Sequence, residues 1–509
     1  MTPKHDPPIV EPADAGASTL TSRQAFLRVF PGVMVAMFLA AADQTILASA
    51  LPTIAGSLGG LADLSWVVVA YLLTATVGAP LYGHLGDRFG RRRMLLVALG
   101  IFTAASLACA LAPTLLLLIV ARALQGLGGG GLMTLAQALI GEHVSPRERG
   151  RFSGYFATVF ALASTSGPIA GAYLTEHFSW RAVFLVNLPL GLLAALLALR
   201  IPLSPMAQRG RFRPDIVGAL LFCAATLALL YALSSGGHRL AWDSPALLSL
   251  LGVAAAGFVL LVLWERRVED PVIPIRFLKV PAIARSDAVV ICFGAALFST
   301  ILYLPLYLQI GRGLRVGQSG LLLLPITLSM VCTSAIVGQI ITRTGLVTIF
   351  PQIGLSVAAL AFVTLGASIT VAPTAAMLAL TMFIGVGLGM VMPPTQVTVQ
   401  LAAGRESLGV ATASISLSRS LGGAMGVAVV GAVLFGLIGA ADGTLATVLR
   451  EVVEGGPAYV ARLSPQQRGA LAAHLDGAYR VVFFVLAGVA AVGAMIARTI
   501  PTLEWSGTR

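Results

Sequence analysis

The chain has 509 residues, of which 57% are hydrophobic and only 11% charged, with a mean hydropathy of +0.91. Soluble domains carry about 25% charged residues, so that class is excluded, and the length reads as a series of membrane spans of about 20 apolar residues each. The formal net charge of +12 has no basic domain to carry it, which argues against a nucleic-acid partner and turns the cations into markers of membrane side.

Residues 1–28 form a polar leader, expected in the cytoplasm. The apolar run that follows continues past Asp43 to Pro52, so it reads as a retained span and not as a cleaved signal peptide. Apolar segments are expected near 29–53, 64–83, 94–112, 115–141, 151–175, 181–203, 215–235, 245–264, 286–310, 319–341, 347–370, 374–402, 408–438 and 478–499, which makes 14 transmembrane helices. Helices are expected because backbone groups in lipid must pair internally, and these runs are too long and too evenly apolar for barrel strands. Cys109, Cys223, Cys292 and Cys332 all lie inside such runs without CxxC or Cys/His spacing, the pattern of small core residues rather than of disulfides or metal ligands.

Between the second and third segments stands GHLGDRFGRRRM, residues 83–94, with Asp87, Arg88, Arg91, Arg92 and Arg93 close together. If the N-terminus is cytoplasmic, this loop and the others on its side carry most of the 33 Lys and Arg residues, so both termini are expected inside. Topology accounts for the arginines but not for Asp87 or the glycines. The spacing of Gly83, Arg88 and Gly90 recurs at Gly338, Arg343 and Gly345. GLGGGG (126–131) has a looser counterpart in GVGLGM (385–390), and Glu148 in RERG one in Glu406 of RESLG.

Each pair is separated by six spans and room for about two more. The expected plan is therefore a six-helix half over 29–204, two inserted helices over 205–265, a linker and second six-helix half over 266–500, and a tail over 501–509. Two such halves around a central pathway are the plan of alternating-access transporters. In the long outer loop, 439–477, Ser464 as N-cap, Pro465 at the first helical position and Gln467 predict a short surface helix.

These stretches resemble the major facilitator superfamily, and within it the 14-helix drug:proton antiporter family, over about residues 30–500. GHLGDRFGRRRM is similar to the superfamily's loop signature, and AADQTILASALPTI (41–54) to the first-helix signature of these exporters, with Asp43 as its acid. RALQGLGGG (122–130) resembles the fourth-helix pattern, and STSGPIAG (164–171) the fifth-helix antiporter signature, with Ala163 and Ala172 in place of its outer glycines. WRAVFLVNLPLG (180–191) and SRSLGGAMGVAVVG (418–431) look like further 14-helix family stretches. The resemblance implies an all-α major facilitator fold, a cytoplasmic gate built from Gly83, Gly86, Asp87, Arg88, Gly90, Arg91 and Arg92, and an exporter-type fifth helix at Gly167, Pro168 and Gly171.

Asp43 lies about 15 residues, roughly 22 Å of helix, into the first span. An ionised acid at mid-membrane costs about 2.5 to 3.5 kcal/mol, a penalty that an acid able to take up a proton avoids. Asp43 is therefore expected to couple protons; the rival is a fixed structural acid paired permanently with Arg122. Arg122 cannot release its proton, so its expected part is to bias Asp43. Asp287, at the start of the ninth span, is a second titrating site or an interfacial helix-start acid. Arg419 is read as structural, and Glu142, Glu265 and Asp215 as solvated or capping groups at span ends. Gly167 and Pro168 predict a kink and a close helix contact. Gln44, Gln125, Gln309, Gln396 and Tyr303 are the substrate-lining candidates, through hydrogen bonds and aromatic contacts, with helix packing as the alternative.

No GxxxxGK[ST] pattern occurs, so ATP is not expected to drive the protein. One proton crossing roughly 150 mV supplies about 3.5 kcal/mol instead. No metal or organic cofactor and no catalytic constellation are expected, since His84, His143, His177, His238 and His474 lie at loops or span ends. The expectation is a bacterial inner-membrane antiporter, not an enzyme, that exports amphipathic drugs, cationic and aromatic ones among them. Its partners are the solute, protons and the bilayer, with a periplasmic adaptor left open. The rivals are a dedicated exporter or uptake facilitator for one metabolite, and a non-transporting membrane sensor.

Overall fold

Long apolar runs satisfy their backbone most simply as helices, and every regular element among the described residues of the computed structural model is helical. The structure describes residues 28–58, 66–144, 173–203, 215–235, 243–268, 279–312, 323–404, 407–441 and 464–501, with isolated positions between 155 and 171 and at 240, 314 and 448. In chain order the helices are α1 (Phe30–Leu58), α2 (Trp66–Phe89), α3 (Arg91–Leu111), α4 (Leu115–His143), α5 (Ala182–Leu185), α6 (Asn187–Ala198), α7 (Ile216–Ser235) and α8 (Pro245–Glu265). They continue with α9 (Pro281–Ile310), α10 (Leu324–Thr344), α11 (Ile349–Ser368), α12 (Thr374–Gly389), α13 (Met392–Ala403), α14 (Leu408–Ala441) and α15 (Pro465–Arg498).

Starts and breaks follow local chemistry. Thr114 caps α4 and Ser244 caps α8, each side chain accepting a backbone N–H in the first turn, which satisfies one of the otherwise unpaired donors. Pro245 and Pro281 open α8 and α9, where the missing N–H is harmless. Between α12 and α13 the chain breaks just before Pro393 and Pro394, which cannot donate to the preceding turn.

Among the described residues, twelve helical stretches are long and apolar enough to cross a membrane. Of the 14 expected segments, 151–175 falls largely outside the described residues. The other, 181–203, forms only the shorter apolar stretch Ala182–Ala198, interrupted at Val186. Pro189 offers no N–H to the Leu185 carbonyl, which explains the interruption. The expected short surface helix at Ser464 is also different: α15 starts at Pro465 as the capping pattern predicts, but runs 34 residues without stopping through the last span.

Association in lipid depends on close packing more than on hydrophobicity, and small residues permit it. A Cβ on Gly130 would strike the Ala75 carbonyl of α2, and one on Gly128 the Phe102 backbone of α3. In the matching stretch, a Cβ on Gly385 would strike Ile326 of α10, and one on Gly387 Gly354 of α11. The two glycine runs that the sequence pairs thus seat α4 and α12 against equivalent neighbours. The paired turn glycines also agree, since Gly90 (φ 95°) and Gly345 (φ 73°) both take a positive φ.

The buried apolar side chains segregate along the chain. One cluster draws only on residues between Val289 and Ile500, and two others only on residues between Val29 and Ile201. The α7–α8 hairpin docks through Phe222 and Leu261 on Val77 of α2, with Leu417 of α14 alongside.

Candidate functional site

The glycine run after Arg122 brings α4 against α2 closely enough for the Arg122 guanidinium to reach across it. Its Nε donates to the Val67 carbonyl (3.1 Å), and its Nη1 donates to Asp43 Oδ2 (2.6 Å) and Gln125 Oε1 (2.6 Å). The other carboxylate oxygen, Asp43 Oδ1, accepts from Gln125 Nε2 (2.9 Å) and Asn187 Nδ2 (2.7 Å). Both amides also donate to Ser106 Oγ, at 2.7 and 3.3 Å. The Tyr71 ring lies 4.3 Å from the guanidinium carbon. Five helices, α1, α2, α3, α4 and α6, therefore contribute to one polar knot, in which Asp43 and Arg122 are each 1% exposed.

Both charges are balanced and both carboxylate oxygens hydrogen-bonded, the condition under which a buried ion pair is tolerable. The pair therefore ties α1 to α4 directly. Gln44, half-buried on α1, bonds to the Tyr71 side chain at the edge of the same knot.

A second constellation lies at the far end of α2. Asp87 accepts from the backbone N–H of Gly409 (2.9 Å) and Val410 (3.1 Å) in the first turn of α14. A carboxylate is well placed there, against the unpaired donors and positive dipole end of a helix. Arg91 Nε donates to Asp87 Oδ1 (3.0 Å) and Nη1 to Glu142 Oε2 (2.7 Å), so α2, α3, α4 and α14 are tied together. Glu142 is thus an ion-pair partner, not the solvated span-end acid the sequence suggested.

Gly83 meets Gly409 backbone to backbone, a Cβ on Gly83 falling 2.6 Å from the Gly409 carbonyl oxygen. Gly86 faces Leu135 of α4, and the positive φ of Gly90 lets α3 follow α2 directly. Arg92 holds the Leu199 carbonyl beyond α6 (2.8 Å) instead of α14, and Arg88 lies in the last turn of α2.

Other predicted site residues lie apart from the knot. Asp287 on α9 accepts from Ser414 Oγ (3.3 Å) and is bonded to Ser418, both on α14. Tyr303 donates to the Val427 carbonyl (3.2 Å), and its own carbonyl accepts from the Tyr479 hydroxyl (2.8 Å). Gln396 is buried on α13. Gln309 lies in α9, with its side chain outside the described residues. Gly167 packs on Thr45 of α1, whose hydroxyl donates to the Ala163 carbonyl (3.1 Å); Gly171 is buried, and Pro168 is outside the described residues. Asp215, expected at a span end, does cap α7 through the Gly218 N–H (2.8 Å) and also accepts from Trp264 Nε1 (2.8 Å).

Sequence reasoning singled out neither Asn187 nor Ser106. The signal for Asn187 was an amide in the middle of the apolar stretch VFLVNLPLG.

The family model of the Major Facilitator Superfamily matches residues 33–427. The multidrug transporter protein MdtP of Bacillus subtilis (strain 168) is 34% identical over 481 residues, covering 93% of this chain and 87% of that one. The efflux pump aunC of Aspergillus niger is 31% identical over 481 residues, covering 92% and 91%. Among solved structures, the human organic anion transporter MFSD10 (TETRAN) aligns over 92% of this chain and 99% of its own with a TM-score of 0.63 at 17% identity, which speaks for the fold alone. A double Trp mutant of XylE aligns over 94% and 96% with a TM-score of 0.59 at 13% identity. With its helical spans and a family match over most of its length, the chain is a multi-pass membrane protein that belongs to the major facilitator superfamily of transporters.

Proposed function

We propose that this transporter is a proton-coupled efflux antiporter that exports amphipathic drugs by alternating access. Its architecture is two six-helix halves, 29–204 and 266–500, with the inserted hairpin of 205–265 between them, 14 spans in all. The segregated apolar clusters and the matched glycine runs support that division. Relatives named as a multidrug transporter and efflux pumps support the direction and the solute class. The chain sits in a bacterial inner membrane with both termini cytoplasmic, so the Asp87 latch closes the cytoplasmic end.

The observation that carries the coupling is the buried Asp43–Arg122 pair held by two amides. A proton reaching Asp43 cancels its charge, loosens α1 from α4 and favours the alternative arrangement of the halves. Release of the proton restores the pair. Asp287, at its serine pair on α14, is the second proton site.

The test is ethidium efflux from energised or inside-out vesicles under an imposed pH gradient. Wild type moves the dye only with the gradient, and Asp43→Asn lowers the rate by about tenfold or more, about 1.4 kcal/mol in the coupled step. Normal efflux by Asp43→Asn would remove Asp43 from the coupling, and a folded wild type that moves no dye would remove drug export.

A further inference from the structure

Arg122 and Arg419 both lie well inside helices long and apolar enough to cross a membrane, and the structure treats them differently. Arg122 has a carboxylate, an amide and a carbonyl as acceptors and an aromatic ring against it. Arg419 has no hydrogen-bond or ion-pair partner among the described residues, and its Nε is buried without an acceptor. It stands 11 residues into the 34-residue α14, about 16 Å of helix from the end that Asp87 holds, on a helix longer than a hydrocarbon core of about 30 Å requires. The charge cannot be discharged, because a guanidinium keeps its proton in proteins, and an unpaired cation at this depth marks a functional site awaiting its counter-ion.

The surroundings describe that counter-ion. Thr412, Ser416 and Gly423 lie on the same face of α14 as Arg419, at helical spacing. Thr412 accepts from Gln400 Nε2 of α13 (3.3 Å), and a Cβ on Gly423 would fall 2.6 Å from the Phe298 ring of α9. The face is thus bounded by α13 and α9. Gln396 lies one turn of α13 from Gln400, towards the depth of Arg419, and Phe298 keeps 38% of its surface exposed. Helical side chains lean towards their helix N-terminus, which sets the guanidinium towards the level of Ser416 and Gln396, with the Phe298 ring at Gly423 about two turns, roughly 10 Å, further along α14. Asp287, the acid on the facing helix, is engaged by Ser414 and Ser418 instead.

We infer that Arg419 is the recognition site for the acidic group of an exported solute, so that the substrates include amphipathic organic anions: an aromatic body bearing a carboxylate or sulfonate. The planar fork of the guanidinium matches such a group bidentately, Phe298 offers the apolar contact, and the Gln396 amide a neutral one. This rests on the export reading above and narrows its solute class.

The test uses the purified full chain and a matched pair of probes, 2-naphthoate and the uncharged 2-naphthamide, with binding read as ligand-induced thermal stabilisation. Wild type prefers naphthoate by about tenfold or more, equivalent to about 1.4 kcal/mol. Arg419→Gln brings the preference down to about twofold, and Arg419→Lys, which keeps the charge but not the fork, falls between. Equal binding of the two probes to wild type, or no binding of naphthoate, overturns the inference without recourse to any variant. An undiminished preference in folded Arg419→Gln assigns the anion to another cation and overturns it as well. Gradient-driven ethidium efflux tests the export reading separately: efflux without naphthoate preference removes only the anion site, and preference without efflux removes only the transport reading.

Discussion

Removing Arg122 takes the counter-charge from a buried carboxylate, and breaking a buried ion pair costs about 3 to 5 kcal/mol. Arg122→Leu is expected to lower stability by about that amount in denaturant unfolding, far more than neutral losses in the same knot. Asn187→Leu removes one of two donors to Asp43 Oδ1 at nearly constant volume, and is expected to cost about 1 to 3 kcal/mol and to slow dye efflux. An unchanged melting point in that variant would mean that Gln125 alone satisfies the oxygen. The acid, the arginine and Gln125 were legible in the sequence, because charge inside an apolar run has few explanations and Gln125 follows Arg122 by most of a helical turn. Asn187 was not, since a lone neutral amide in such a run has the same appearance whether it serves a site or packs against a carbonyl.

At the level of helices, glycines divide by what lies opposite them. Gly130 faces the Ala75 carbonyl, whereas nothing lies within 4 Å of a Cβ at Gly100 in α3. Gly100→Ala is expected to stabilise by about 0.5 to 1 kcal/mol through helix propensity, while Gly130→Val is expected to abolish the folded peak in detergent chromatography. At the latch, Asp87→Asn keeps the shape but removes the charge set against the N-terminus of α14. A loss of about 1 kcal/mol would speed hydrogen exchange of the Gly409 and Val410 amides about fivefold, and unchanged exchange would show that Arg91 and the glycine contact suffice to hold the end. The sequence pattern located these elements well, since apolar length is a long-range average. It failed where one residue decides: Pro189 interrupts the sixth segment, and no breaker after Ser464 stops α15 from absorbing the predicted surface helix.

For the whole molecule, the glycine pairings were legible because they answer to backbone approach rather than side-chain chemistry: positive φ at Gly90 and Gly345, and glycine contacts on α4 and α12. What those pairings do not extend to is charge. The knot that neutralises Arg122 has no counterpart around Arg419, which is left cationic with nothing to cancel it among the described residues. That asymmetry sets the electrical behaviour of the cycle. If one proton enters for each monoanion that leaves, two charges move in the same sense, and the membrane potential adds about 4.6 kcal/mol per 100 mV. A monovalent cation exchanged for one proton would move no net charge. In proteoliposomes, clamping the potential to zero with potassium and valinomycin should therefore slow export of an organic anion severalfold and leave ethidium untouched, so the potential alone would separate the two classes of solute.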